Sequence, residues 1–154
     1  MSDEPTETLR DHLNGQRFVM LTSLAEDGRL VSRPMTVQEL DGWTLRFIAQ
    51  DDNDVVVQSE GQQVNLSFNS GGTYVSLSGT GAVSRDTTAK QELWNRLNEA
   101  YAGDADDPSN VILEVTADEG EYWDGGGPVA RVLGLARAAV TREATGGEHE
   151  VVDL

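Results

Sequence analysis

The 154-residue chain contains no cysteine. Disulfide scaffolds, thiol catalysis, iron–sulfur clusters and cysteine zinc sites are thereby excluded. Histidine is almost as scarce. His12 and His149 stand near opposite ends without a partner at ligand spacing, so no metal site is expected. No run of 18 apolar residues occurs, and the opening MSDEPTET is acidic and polar. Neither a membrane span nor a secretory signal is expected, which leaves a soluble cytoplasmic protein as the reading. The sequence has no G-x-S-x-G and no G-x-x-x-x-G-K, and its carboxylates form no informative pair, so acid–base grounds alone name no catalyst.

Lysine is nearly missing too. Lys90 stands alone beside ten arginines, against 27 acidic residues, and the net charge is −16. A field of that sign repels nucleic acid and anionic membranes, which bind through phosphate neutralisation. The balance fits adaptation to high internal salt, and it fits a GC-rich genome equally well.

The remaining residues alternate in the manner of a mainly β protein. Residues 5–14 read as a short helix with Leu9 and Leu13 on one face, closed by Gly15. Strands are expected at Arg17–Leu24 and at Leu30–Val37, where Pro34 demands an edge or a bulge. Trp43, Leu45 and Phe47 alternate after the Asp41-Gly42 turn. Residues 51–60 read as a helix, with start chemistry at Asp51 to Asp54 before Val55-Val56-Val57, a run that by propensity also suits a strand. Val64, Leu66 and Phe68 alternate most clearly. Val75, Leu77 and Val83 continue through a strand in which Gly79 and Gly81 signal a bend or a close approach. A helix at 87–101 takes Thr87 as its cap, and a loop covers 102–110. Val111, Leu113 and Val115 alternate, and Tyr122 and Trp123 belong to a last strand. Val129–Thr141 reads as an amphipathic helix, and 143–154 as a polar tail. Together these elements argue for one domain over 1–154, a small barrel with helices packed outside.

Three segments stand out chemically. Arg33 precedes proline in an apolar strand. A rim arginine is the commoner reading, and an anion clamp the functional one. Tyr122-Trp123 closes a core or flanks a planar ligand. The polar face of Tyr74 to Gly79 is solvated or lines a groove.

In order and spacing, Ser32-Arg33-Pro34-Met35, Val64 to Phe68, Tyr74 to Gly79, Glu92-Leu93-Trp94 and Glu121 to Asp124 resemble the general stress proteins. So do Val132 to Val140 and the closing Val151 to Leu154. That family belongs to the pyridoxamine 5′-phosphate oxidase-like superfamily. The resemblance implies a six-stranded split β-barrel with flanking helices, paired into a homodimer. It implies FMN, or FAD or the deazaflavin F420 as variants, in grooves at the subunit interface, and a flavin-dependent oxidoreductase of unstated substrate. On this resemblance, Arg33, followed by Pro34 and Met35, holds the phosphate. Phe47, Ile48 and Ala49 meet the flavin through backbone. Tyr74 and Ser76 face the groove, Trp123 reaches across subunits, and Arg131 follows it. Two positions depart from the pattern. The family's phosphate-binding lysine falls on Asp54, and its threonine on Ile48. Two unit charges about 4 Å apart interact by about 4 kcal/mol at an effective dielectric near 20, so the change from cation to anion opposes a phosphate. The alternative function is therefore a non-catalytic stress or ligand-binding barrel with weakened FMN binding. Haem handling is a weaker option, since no histidine lies near the expected groove.

Overall fold

A computed structural model describes residues 4–97, 105–124 and 149–154. Helix α1 (Glu4–Leu13) leads into strands β1 (Phe18–Leu24), β2 (Leu30–Thr36), β3 (Glu39–Asp41) and β4 (Thr44–Gln50). Helix α2 (Asp54–Ser59) follows, then β5 (Gln63–Ser70), β6 (Thr73–Ser84), helix α3 (Thr87–Leu97), β7 (Asn110–Asp124) and β8 (His149–Asp153). Among the described residues the strands form one antiparallel sheet in the order β2-β1-β5-β6-β7-β4-β3, with β8 also on β7. The sheet curls into the split half-barrel that the resemblance implies. Six longer strands build it, and the short β3 and β8 extend it.

Alternation decides which side chains face inward. Leu21, Leu45, Phe47, Leu66, Leu77, Leu113 and Val115 are fully or almost fully buried inside the curl. Leu9 and Leu13 of α1 join the same core, so the N-terminal helix closes the barrel. Pro34 lies on β2, an edge strand, where its missing N–H leaves no ladder bond unmade.

Both suspected glycines mark close approaches. The register of β6 against β7 shifts between Ser78 and Gly79, and a Cβ on Gly79 would stand 2.3 Å from the Thr116 carbonyl oxygen. A Cβ on Gly81 would stand equally close, at 2.3 Å, to the carbonyl oxygen of Ser59. That contact seats the end of α2 on β6, with Val55 and Val56 buried beneath it.

The helix expected after Asp51 is α2, and Asn53 caps it: its side chain accepts from the Val55 amide at 3.0 Å. Other expectations need correction. The cap of α3 is Asp86 rather than Thr87, since Asp86 Oδ1 accepts from the Thr88 amide at 3.2 Å. Val111 to Val115 and Tyr122-Trp123 belong to a single strand, β7, which runs through the polar stretch Thr116–Gly120. Part of the segment read as a polar tail is β8, continuing along β7 where β4 leaves off. The expected helix at 129–141, and Arg131 within it, lie outside the described residues.

An ionic network fastens α3 over β3 and β4. Arg46 donates to Glu39 at 2.6 Å and to Glu114 at 2.9 Å, and Arg96 of α3 donates to Glu39 at 3.0 Å. The hydrogen bond from Arg96, joined by that from Arg46, holds the Glu39 carboxyl below the usual range against the opposing effect of burial. A carboxyl whose folded pKa is depressed stabilises the fold fully above its unfolded value of about 4.3 and loses that contribution as pH falls through the folded value. Glu39→Gln is expected to melt below the wild type at pH 7, with the gap closing as pH drops below about 4. Thermal melts across that range check this, and a gap independent of pH would refute it.

Candidate functional site

The barrel is split because β3 is short. It covers β4 only from Thr44 to Arg46. Beyond that, Ile48, Ala49 and Gln50 pair with β7 on one side and turn the other toward β2. An antiparallel strand directs alternate backbone groups away from each neighbour, so this stretch offers amide and carbonyl groups across the split. There a cavity of about 350 Å³ opens, lined by Arg33, Pro34, Met35, Ile48, Ala49, Gln50, Asn53, Val55 and Asn110.

Five of the residues singled out from sequence thus meet at one place: Arg33, Pro34, Met35, Ile48 and Ala49. Asp54 sits between two further wall residues, Asn53 and Val55. The Phe47 side chain is buried in the core, so only its backbone is available to a ligand.

Tyr74, Ser76 and Trp123 are elsewhere on the chain. Register places Pro34 opposite Met20, Met20 opposite Ser67, and Ser67 opposite Ser76. Ser76 in turn opposes Glu121, and Glu121 opposes Val151. The neighbouring row carries Tyr74, Trp123 and His149. Paired residues share a face, so these side chains lie on the outside of the sheet. That face exposes Phe18, Met20, Tyr74, Trp123 and Val151. The Trp123 ring already stacks on His149 at 4.9 Å, and His149 Nε2 lies 2.6 Å from Glu121 Oε1.

Arg33 points inward beside Leu21, its partner on β1. It donates to Ser23 Oγ at 2.6 Å and reaches Leu21 O and Gln58 Oε1, each at 3.4 Å. Ser23 donates in turn to Gln58 Oε1 at 2.6 Å. Burial lowers the guanidinium pKa, and the Asp54 carboxylate acts in the opposite direction.

Gln50 and Asn110 were not anticipated as site residues. Gln50 Nε2 donates to Asn110 Oδ1, and the Asn110 carbonyl accepts from Lys90 Nζ at 2.9 Å. No sequence signal joins these residues. The register of β4 against β7 does, pairing Gln50 with Asn110.

The cavity fits the two halves of a flavin mononucleotide unequally. Pro34, Met35, Ile48 and Val55 offer apolar surface to a ring, and Gln50, Asn53 and Asn110 add polar amides. Among the described residues the terminal phosphate finds one cation, Arg33, with its Nη1 and part of its Nη2 already engaged, next to the acidic run Asp51, Asp52 and Asp54. Among the described residues no cluster of side chains could hold a metal ion.

The family model for pyridoxamine 5′-phosphate oxidase-like proteins matches residues 4–146. None of the curated proteins matches the sequence. Among solved structures, the general stress FMN/FAD binding protein of Xanthomonas citri is 31% identical, with 79% of this chain and 89% of that one covered and a TM-score of 0.64. A protein from Jannaschia sp. CCS1 assigned as general stress protein 26 is 29% identical over 99% of this chain and 100% of its own, with a TM-score of 0.68. An F420 reductase at 20% identity, covering 72% of this chain and 94% of its own with a TM-score of 0.57, shares the fold alone. With its split half-barrel and these relatives, the chain belongs to the pyridoxamine 5′-phosphate oxidase-like family, in its general stress protein branch.

Proposed function

We propose that this protein is a homodimeric flavin-binding member of its family, with the flavin ring lodged in the split between β2 and β4. The observation that carries the reading is the stretch Ile48–Gln50 facing β2 across an amide-rich cavity. Such an edge matches the hydrogen-bonding rim of an isoalloxazine, and Pro34, Met35 and Val55 supply apolar contact. A relative at 31% identity is an FMN/FAD binding protein, which supports the same class of ligand.

The flavin supplies the hydride chemistry, and the chain supplies binding and orientation. Among the described residues the cavity wall contains no histidine or carboxylate, so these residues hold a ligand and do not move protons near neutral pH. Oxidoreductase activity on a small substrate is the first reading. A ligand-holding stress protein is the second, favoured by that absence of acid–base groups. The test is titration of the purified chain with riboflavin, FMN and FAD, followed by flavin fluorescence. Saturable quenching by any one of them supports the site. No response to all three overturns it.

A further inference from the structure

The electrostatics of the cavity carry an inference about its ligand that rests on the flavin reading above. Among the described residues Arg33 is the one cation in the wall, and part of its guanidinium is engaged by protein acceptors. Ser23 Oγ takes one bond at 2.6 Å, and Leu21 O and Gln58 Oε1 take longer ones. The acceptor on Gln58 is itself fixed, because Ser23 donates to it at 2.6 Å. Both Nη1 donors of Arg33 and one Nη2 donor thus serve the protein, which leaves Nε and one Nη2 hydrogen to a ligand.

The turn leading into α2 contributes the opposite sign. Asp51, Asp52 and Asp54 are exposed, and they surround Asn53, which lines the cavity. The Asn53 side-chain oxygen accepts from the Val55 amide at 3.0 Å, and its carbonyl accepts from Val56 and Val57. Among the described residues, three carboxylates and one partly engaged cation give this end of the cavity a net negative field. A doubly charged phosphate would have to share Arg33 with Ser23 and Gln58 and sit against that field. An uncharged polyhydroxyl end would meet neither cost, and hydroxyls can bond to carboxylates and amides alike.

We infer that the cavity selects an unphosphorylated, electrically neutral flavin over its phosphorylated forms. The preference reverses that of a site built around a free cation. Its source is local, in Asp54 and its neighbours.

The experiment compares riboflavin with FMN on the full chain at low ionic strength, for the wild type and for Asp54→Asn and Asp54→Lys. Riboflavin is expected to bind the wild type at least about tenfold more tightly than FMN. The ratio should shrink in Asp54→Asn and invert in Asp54→Lys, and molar potassium chloride should narrow it in the wild type. Tighter binding of FMN than of riboflavin by the wild type overturns the inference and leaves the flavin site standing. An equal preference in all three proteins also overturns it, because Asp54 then has no part in the choice. Failure of every protein to bind either flavin overturns the site and the inference together. Asp54 is exposed, so Asp54→Asn and Asp54→Lys should fold as the wild type does, and circular dichroism checks this.

Discussion

Lys90→Met is expected to destabilise the fold by about 2–4 kcal/mol, although the residue is a lysine and lysines are ordinarily surface groups. This side chain is 2% exposed. From α3 its Nζ donates to the carbonyl of Asp107 at 3.1 Å and to that of Asn110 at 2.9 Å. Hydrogen bonds from a charged donor are worth about 1.5–3 kcal/mol each, and the two share one ammonium, so their sum is discounted. Methionine nearly matches the lysine stem in shape, which confines the loss to the ammonium and its bonds. For a chain of this size the melting temperature should fall by roughly 5–15 °C. The native protein should also resist amine-directed acylation at this position. An unchanged melting temperature, or rapid acylation of Lys90 itself in the folded protein, would show that the ammonium is not seated as described.

The same lysine links the α3 anchor to the candidate site. Its acceptor Asn110 begins β7, lines the cavity and accepts from Gln50. Loosening the 105–110 turn in Lys90→Met should therefore weaken ligand binding, although Lys90 is not among the residues lining the cavity.

Local periodicity made the inner face of the barrel readable, because a half-buried strand writes its burial pattern directly into sequence. Val64, Leu66 and Phe68 against Asn65, Ser67 and Asn69 are the clearest case, and β5 reproduces the alternation. What could not be read locally depends on distant partners. Strand β7 stays extended through the polar run Thr116–Gly120 because β6 pairs along most of its length and β4 and β8 share its other edge. Gly120 makes a close approach there, since a Cβ would stand 2.7 Å from a terminal methyl of Leu9, more than a hundred positions away in sequence. Strand β8 has little apolar signal of its own, and pairing to β7 supplies its order. The site divides in the same way. Arg33, Pro34 and Met35 were legible as an anomaly within one strand. Gln50 and Asn110 become neighbours only through register.

Met20→Arg is expected to convert the protein from a dimer into a monomer. Met20 is 39% exposed, and its face of the sheet also exposes Phe18 at 58%, Tyr74 at 50%, Trp123 at 40% and Val151 at 54%. An apolar strip of this kind is what a second copy would cover, and fully burying one large apolar side chain is worth about 1.5–3 kcal/mol. In a two-fold dimer every substitution occurs twice. A central residue whose loss costs about 2 kcal/mol therefore weakens the dimer by roughly a thousandfold when both copies change, and a buried guanidinium without a partner costs more. The wild type should sediment at micromolar concentration as twice 16.7 kDa, and the variant as 16.7 kDa. Val151→Arg, in the same transverse row, should behave alike. Both side chains point away from the core, so the melting temperature of the separated subunit reports whether folding itself is intact. The row that carries Met20 also carries Pro34, which borders the cavity. A second copy on this face would lie close to that cavity. Met20→Arg should then lower flavin affinity without touching a lining residue. A variant that remains dimeric would move the interface to another face. A variant that becomes monomeric yet binds flavin as the wild type does would confine the ligand to one chain.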